Sequence, residues 1–221
     1  MTRVNLLAKM RFTDLRNELR YSLHVMVRPF DGFWDLKHEK RGSLRAAYVI
    51  VAMLIVTWIS RWQFSGFFMV NPFYRMQMNI FQEAATIILP FALWVVANWC
   101  LTTLMDGEGS MRDIAIATAY ALMPLIVINI PVIFISNFLT LEESALLVTI
   151  QGVAVVWTGF LLFVSVIVVH QYTIIKAIVT IILSLIGVAV ILFVSLLMLT
   201  LLQQVLGLVV QIIREARLRW S

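Results

Sequence analysis

The chain has 221 residues, of which 62% are hydrophobic and 13% charged, with a formal net charge of +5. Soluble domains carry about 45–50% apolar and roughly 25% charged residues, so a soluble globular domain is excluded. Several apolar runs exceed the ~18 residues that mark a bilayer span, so one helical membrane bundle takes up most of the chain and leaves no room for a separate catalytic domain. The single Cys100 excludes an internal disulfide and argues against a cysteine-rich metal site. Within its apolar run it reads as a small buried hydrophobe. Ten of the 17 Lys and Arg residues precede residue 46, beside the first span. That placement is an orientation signal and a membrane-surface contact rather than the footprint of a nucleic acid.

Residues 1–42 hold no apolar run of signal-peptide length, and nothing in them looks cleaved. Phe12, Leu15, Leu19, Leu23 and Met26 recur at spacings of 4 or 3 and draw one apolar stripe on a helix. Arg11, Asp14, Arg16, Glu18 and Arg20 fill the other side. The pattern predicts an amphipathic helix of about four turns that ends before Pro29. It is expected to lie along the membrane surface or against a partner, and its mixed charges leave both open. In the next segment Pro29 and the Asp31-Gly32 pair predict a turn, with Phe30, Phe33 and Trp34 at headgroup depth.

A first span is predicted at 44–62, with Arg45 and Arg61 snorkelling outward and Trp58 and Trp62 at the far interface. Residues 63–78, rich in Phe, read as an interfacial loop. A second span follows at 84–105, with Pro90, Asn98 and Trp99 inside it.

The hinge after the second span packs Asp106, Glu108 and Asp113 around Gly107 and Gly109. A Gly-x-Gly turn admits positive φ angles that a Cβ resists. Ser110 with Asp113 three residues on reads as a capping box, placing acid at the positive end of the third span. The hinge is therefore a tight turn with a capped helix or, more sharply, a partner-docking surface. The third span, 114–139, carries Tyr120 one turn before Pro124. It is predicted to kink at Pro124 and Pro131, with the phenol hydrogen-bonded across helices.

A fourth span is predicted at 145–169, after the Glu142-Glu143 loop. The last uncharged run, 177–213, would measure about 55 Å as one helix, against a hydrocarbon core of about 30 Å. It has no proline, so a hairpin is poorly supported. The alternatives are one long helix, or a span at 177–205 followed by a surface helix. Thr200, Gln204, Gly207, Gln211 and Arg214 form a polar stripe near its end. With the N-terminus inside, the inner segments hold twelve Lys and Arg against five outside. This favours five spans, N-terminus in and C-terminus out, despite the basic tail at 214–221.

Chemistry-bearing motifs are missing from the sequence. No charged residue lies near the centre of any predicted span, which disfavours a proton or ion relay. No His-Glu-x-x-His, Gly-x-Ser-x-Gly or phosphate loop occurs. His170 reads as an interfacial histidine. The acidic trio lacks the further ligands of a calcium loop. No catalytic residue, metal or cofactor is assigned, and the reading is not an enzyme.

Gly107-x-Gly109-Ser110-x-x-Asp113 followed by Tyr120-Ala121-x-x-Pro124 resembles the Yip1 family of multi-span membrane proteins. The resemblance covers roughly residues 30–212 and the five-span layout. Asp31-Gly32-Phe33-Trp34 departs from the Tyr-Gly-Pro-aromatic motif of eukaryotic members. The resemblance implies an all-α membrane domain at 43–213 behind a cytoplasmic segment at 1–42. It also implies a non-enzymatic scaffold or adaptor that organises other integral membrane proteins in transport or trafficking. Eukaryotic members work in vesicle trafficking with small GTPases. The chain looks more like the bacterial branch, whose association with transporters makes an accessory subunit of a sugar-type ABC importer, docked on its permeases, the alternative. The expected setting is the bacterial cell membrane, with the lipid bilayer itself as a partner.

Overall fold

The computed structural model describes residues 2–66, 79–102, 104–140 and 142–220; the side chains of 2–14, 214 and 216–220 lie outside that description. Among the described residues every regular element is a helix. In chain order these are α1 (Thr2–Val27), α2 (Pro29–His38), α3 (Leu44–Phe64), α4 (Ile80–Thr102), α5 (Met111–Ala121), α6 (Met123–Ile135), α7 (Ser144–His170) and α8 (Ile174–Trp220). With α5 and α6 taken as one bent span, five helices are long and apolar enough to cross a membrane. The loop predicted at 63–78 lies outside the described residues from 67 onward.

The N-terminal region departs most from the sequence reading. α1 is 26 residues long rather than four turns, and it packs on α3, α5 and α6 instead of lying apart on a surface. Leu15, Leu19 and Met26 meet the core as the stripe requires, but Leu23 is 42% exposed. Ser22 and Val25 are buried in its place, because the bundle contacts a face slightly rotated from the apolar one. The side chain of Phe12 falls outside the described residues.

The predicted turn at 29–37 is the helix α2. Pro29 occupies its first turn, where a missing N–H costs no hydrogen bond. Phe33 is fully buried rather than at headgroup depth, while Phe30 and Trp34 are exposed. Gly32 lets α2 lie directly on α1, since a Cβ there would meet Val25 Cα at 2.8 Å. The two helices form a hairpin laid along α7 and α5. Its tip reaches far down the bundle: Trp157 Nε1 donates to the Met26 carbonyl at 3.2 Å. Trp157 lies about 20 Å along α7 from His170.

α3 starts at Ser43, whose side chain accepts from Ala46 N. Its small residues Ala46 and Ala47 are buried, which allows close helix approach. α5 and α6 meet at a break at Leu122. Pro124 has no N–H to offer the Tyr120 carbonyl, and that carbonyl accepts from Leu122 N instead. Pro131, predicted to kink the span, sits inside α6 without ending it. α6 stops at Ile135 because Asn137 turns back, its amide donating to the carbonyls of Ile133 and Phe64. Cys100 is exposed rather than buried, on a face of α4 turned away from the bundle.

α8 is a single helix of 47 residues, which makes it about 70 Å long. It rests on α4 and α7 through its first half only. From residue 192 to residue 213 every residue is exposed. The core gathers instead where α1 and α2 meet α3, α5 and α7, around Phe33, Ile50, Tyr120 and Leu161.

Candidate functional site

The hinge at 104–113 closes the end of the bundle that carries the N-terminal hairpin. It leaves α4 through a Gly107 N to Thr102 O bond of 2.9 Å. The left-handed residue is Asp106, with φ 49°, and neither glycine takes a positive φ. This corrects the reason for the Gly-x-Gly pair. Space, not backbone conformation, demands it: a Cβ on Gly107 would collide with Tyr172 Oη and lie 2.8 Å from His170 Nδ1. One on Gly109 would lie 2.8 Å from both His170 Cε1 and Val169 Cγ1.

The three acids have separate tasks. Asp113 completes the capping box: its carboxylate accepts from Ser110 N at 3.2 Å, while Ser110 Oγ accepts from Asp113 N at 3.3 Å. Glu108 accepts from Lys37 Nζ of α2 at 3.0 Å, bolting the hinge to the hairpin. The Lys37 side chain is 12% exposed and that of Glu108 58%. Asp106 is near Tyr172, whose phenol burial pushes up from its ordinary range, with the carboxylate adding to the shift.

Beneath the glycines, at the end of α7, sits His170, only 2% exposed. Its Nε2 lies 2.9 Å from Oδ1 of Asn98 on α4, and its ring stacks on Tyr172 with centroids 5.0 Å apart. Lys176 Nζ lies over the Tyr172 ring, 4.8 Å from its centroid. An imidazole Nε2–H donating to the Asn98 amide oxygen leaves Nδ1 as an acceptor, and among the described residues neither Nδ1 nor Asn98 Nδ2 has a partner. Ser165 lines the same small pocket as Asn98 and His170, with its Oγ donating to the Leu162 carbonyl at 2.7 Å. Among the described residues no three His, Cys, Asp or Glu side chains converge as metal ligands. The cluster ties α4, α7 and the start of α8 together under the hinge.

Tyr120 is fully buried, and its Oη donates to the Glu18 carbonyl of α1 at 3.4 Å. The Glu18 carboxylate in turn accepts from Ser43 Oγ at 2.5 Å. Close by, Tyr21 donates to Asp35 at 2.6 Å, and its phenol is raised by burial first and by Asp35 second. Thus Tyr120 joins the bend of the third span to the hairpin, while Pro124 makes the bend. The structure sets Gly107 and Gly109 of the hinge against His170, while Glu108 reaches Lys37 and Ser110 pairs with Asp113. Tyr120 lies in the core on which Leu15 and Leu19 pack, and Pro124 is fully buried. Sequence reasoning passed over Lys37, Asn98 and Tyr172. Asn98 alone left a signal, as an amide in an apolar run.

A family model described as the Yip1 domain matches residues 23–209. The chain belongs to the Yip1 family. No curated protein and no solved structure matches it. The hinge, Asn98 and His170 all fall within the Yip1 domain, whereas most of α1, including Glu18, precedes it. With its apolar helices, this Yip1-family chain is an integral, multi-pass membrane protein.

Proposed function

We propose that this Yip1-family chain is a non-enzymatic membrane scaffold that binds and organises other integral membrane proteins in a transport or trafficking system. The observation that carries the reading is the distal half of α8. Residues 192–213 form a mostly apolar stretch of about 33 Å in which every residue is exposed. A helix that gains nothing from its own bundle is available to the helices of others, where packing and interhelical hydrogen bonds drive association. Gln204 and Gln211 supply polar groups for such contacts. The hinge serves as the second contact through its exposed Asp106 and Glu108 rim, held in shape by Lys37 and His170. The basic residues before the first span support a cytoplasmic N-terminus, and the bacterial cell membrane is the setting proposed.

The test is site-specific photocrosslinking in membranes at Phe193, Leu197, Leu201 and Val205, with Val156 on α7 as control. Adducts to other membrane proteins at the α8 positions and not at Val156 are expected. Adducts to lipid alone at all positions would overturn the reading. Permease subunits among the captured proteins would narrow it to an importer accessory subunit.

A further inference from the structure

All five spans line an apolar cavity of about 450 Å³ that is partly open at its surface. Its wall includes Leu54 and Trp58 of α3, Ile87 and Phe91 of α4, Leu122 at the bend and Leu185 of α8, and among the described residues it contains no charged side chain. The volume lies within the range of about 300–1,000 Å³ typical of ligand sites. In a bilayer, such a space takes up hydrocarbon, because nothing in its wall holds water strongly.

One end of this cavity is not neutral. Trp58 belongs to the wall, and its indole N–H donates to Glu83 Oε2 at 3.1 Å. The guanidinium of Arg61 lies over the same indole, 5.2 Å from the centroid. Arg61 also donates to Gln151 Oε1 at 3.0 Å, which fixes its direction. Thr86, another wall residue, donates to the Glu83 carbonyl at 2.7 Å. Both charged side chains are half-buried, and among the described residues neither belongs to an ion pair. A cation and an anion are therefore held around one ring at the mouth of a hydrocarbon slot, each with hydrogen-bonding capacity unused.

We propose that this is a binding site for one phospholipid with a zwitterionic, primary-ammonium head, of the phosphatidylethanolamine type. The lipid phosphate meets the planar donor fork of Arg61. The ammonium donates to the Glu83 carboxylate, and one acyl chain passes Trp58 into the cavity. A fatty acid or an amine-free anionic phospholipid of the phosphatidylglycerol type matches Arg61 alone. A choline head matches both charges but has no N–H to donate to Glu83.

The experiment uses the full chain in phosphatidylcholine nanodiscs holding a trace of phosphatidylethanolamine with a diazirine in one acyl chain. After irradiation, adducts are expected to concentrate on Ile87, Phe91, Leu122 and Leu185, and to be displaced by unlabelled phosphatidylethanolamine but not by added phosphatidylcholine. Arg61→Gln and Glu83→Gln should each lower cavity labelling about tenfold, the loss of one charge-assisted hydrogen bond. Ile87→Trp, which fills the slot, should abolish it with unchanged size-exclusion elution. The proposal is overturned if adducts spread evenly onto outward residues such as Val156 and Ile182. It is equally overturned if labelling survives both charge substitutions, or if choline and fatty-acid probes label the cavity as strongly. The competition on the unsubstituted protein decides the matter even where Ile87→Trp does not fold.

Discussion

The inner part of α7 and the outer part of α8 are both uncharged, apolar helix, yet their surroundings are opposite. Residues 161–170 of α7 are wrapped by the hairpin, α4 and α5, and most are buried. Residues 192–213 of α8 are exposed without exception. Hydrophobicity does not distinguish them, since lipid satisfies an apolar face as well as protein does. What differs is the polar groups near each. Around α7, Glu18, Lys37 and Asn98 make directional bonds whose geometry selects one packing. Around the end of α8 the hydroxyls of Ser195 and Thr200 turn back to their own helix at Ile191 and Leu197. Closed polar groups give a helix no fixed neighbour.

The comparison breaks most severely at Tyr120. Tyr120→Ala removes a fully buried aromatic ring from the wrapped end and is expected to destabilise the fold by about 3–5 kcal/mol, measured by thermal unfolding in mild detergent. Tyr120→Phe keeps the ring and loses only the bond to Glu18, so a shift of about 0.5–1.5 kcal/mol should follow. Equal losses in both would put the hydroxyl, not the packing, in charge.

Gly107→Ala should lower stability by about 1–3 kcal/mol through overpacking against Tyr172 and His170. Adding Tyr172→Phe removes the oxygen that collides, and partial recovery in the double variant is the diagnostic result. No recovery would mean that the turn itself rejects a side chain.

Asn98→Leu leaves His170 Nε2 buried without its partner, and a loss of about 1–3 kcal/mol is expected. The same change with His170→Leu should be milder than the two single effects added, because no unpaired polar group remains.

At the surface, the Lys37 and Glu108 pair is half exposed, so a double-mutant cycle should return about 0.2–1 kcal/mol, falling with added salt. Neutralising Asp106, Glu108 and Asp113 together should weaken partner capture more than it weakens the fold. Equal loss of protein and partners would make the hinge structural only.

Least of all, Leu199→Ala on the bare half of α8 should change stability by no more than about 0.5 kcal/mol, since it empties no core. Its effect belongs to partner crosslinking. A clear drop in unfolding temperature for the isolated protein would show that the distal helix is packed after all, and would erase the contrast with α7.

The sequence by itself determined the class, the five apolar helices and the capping box. Each depends on hydrophobicity or on residues three or four apart, and such relations need no knowledge of the rest of the chain. The cross-helix bond of Tyr120 was legible too, since a phenol inside an apolar run needs a partner. Other features were decided only by tertiary structure. The stripe on α1 turned slightly, from Leu23 to Val25, because the bundle offers Glu18 bonds from Ser43 and Tyr120 that periodicity does not register. The Pro-Phe-Asp-Gly segment became helix because α1 and α7 reward it with burial of Phe33, which outweighs the local preference for a turn. The glycines of the hinge are there for the approach of His170 and Tyr172, residues some sixty positions away in the chain. Contacts at that separation arise only when the helices have assembled, so no local rule contains them.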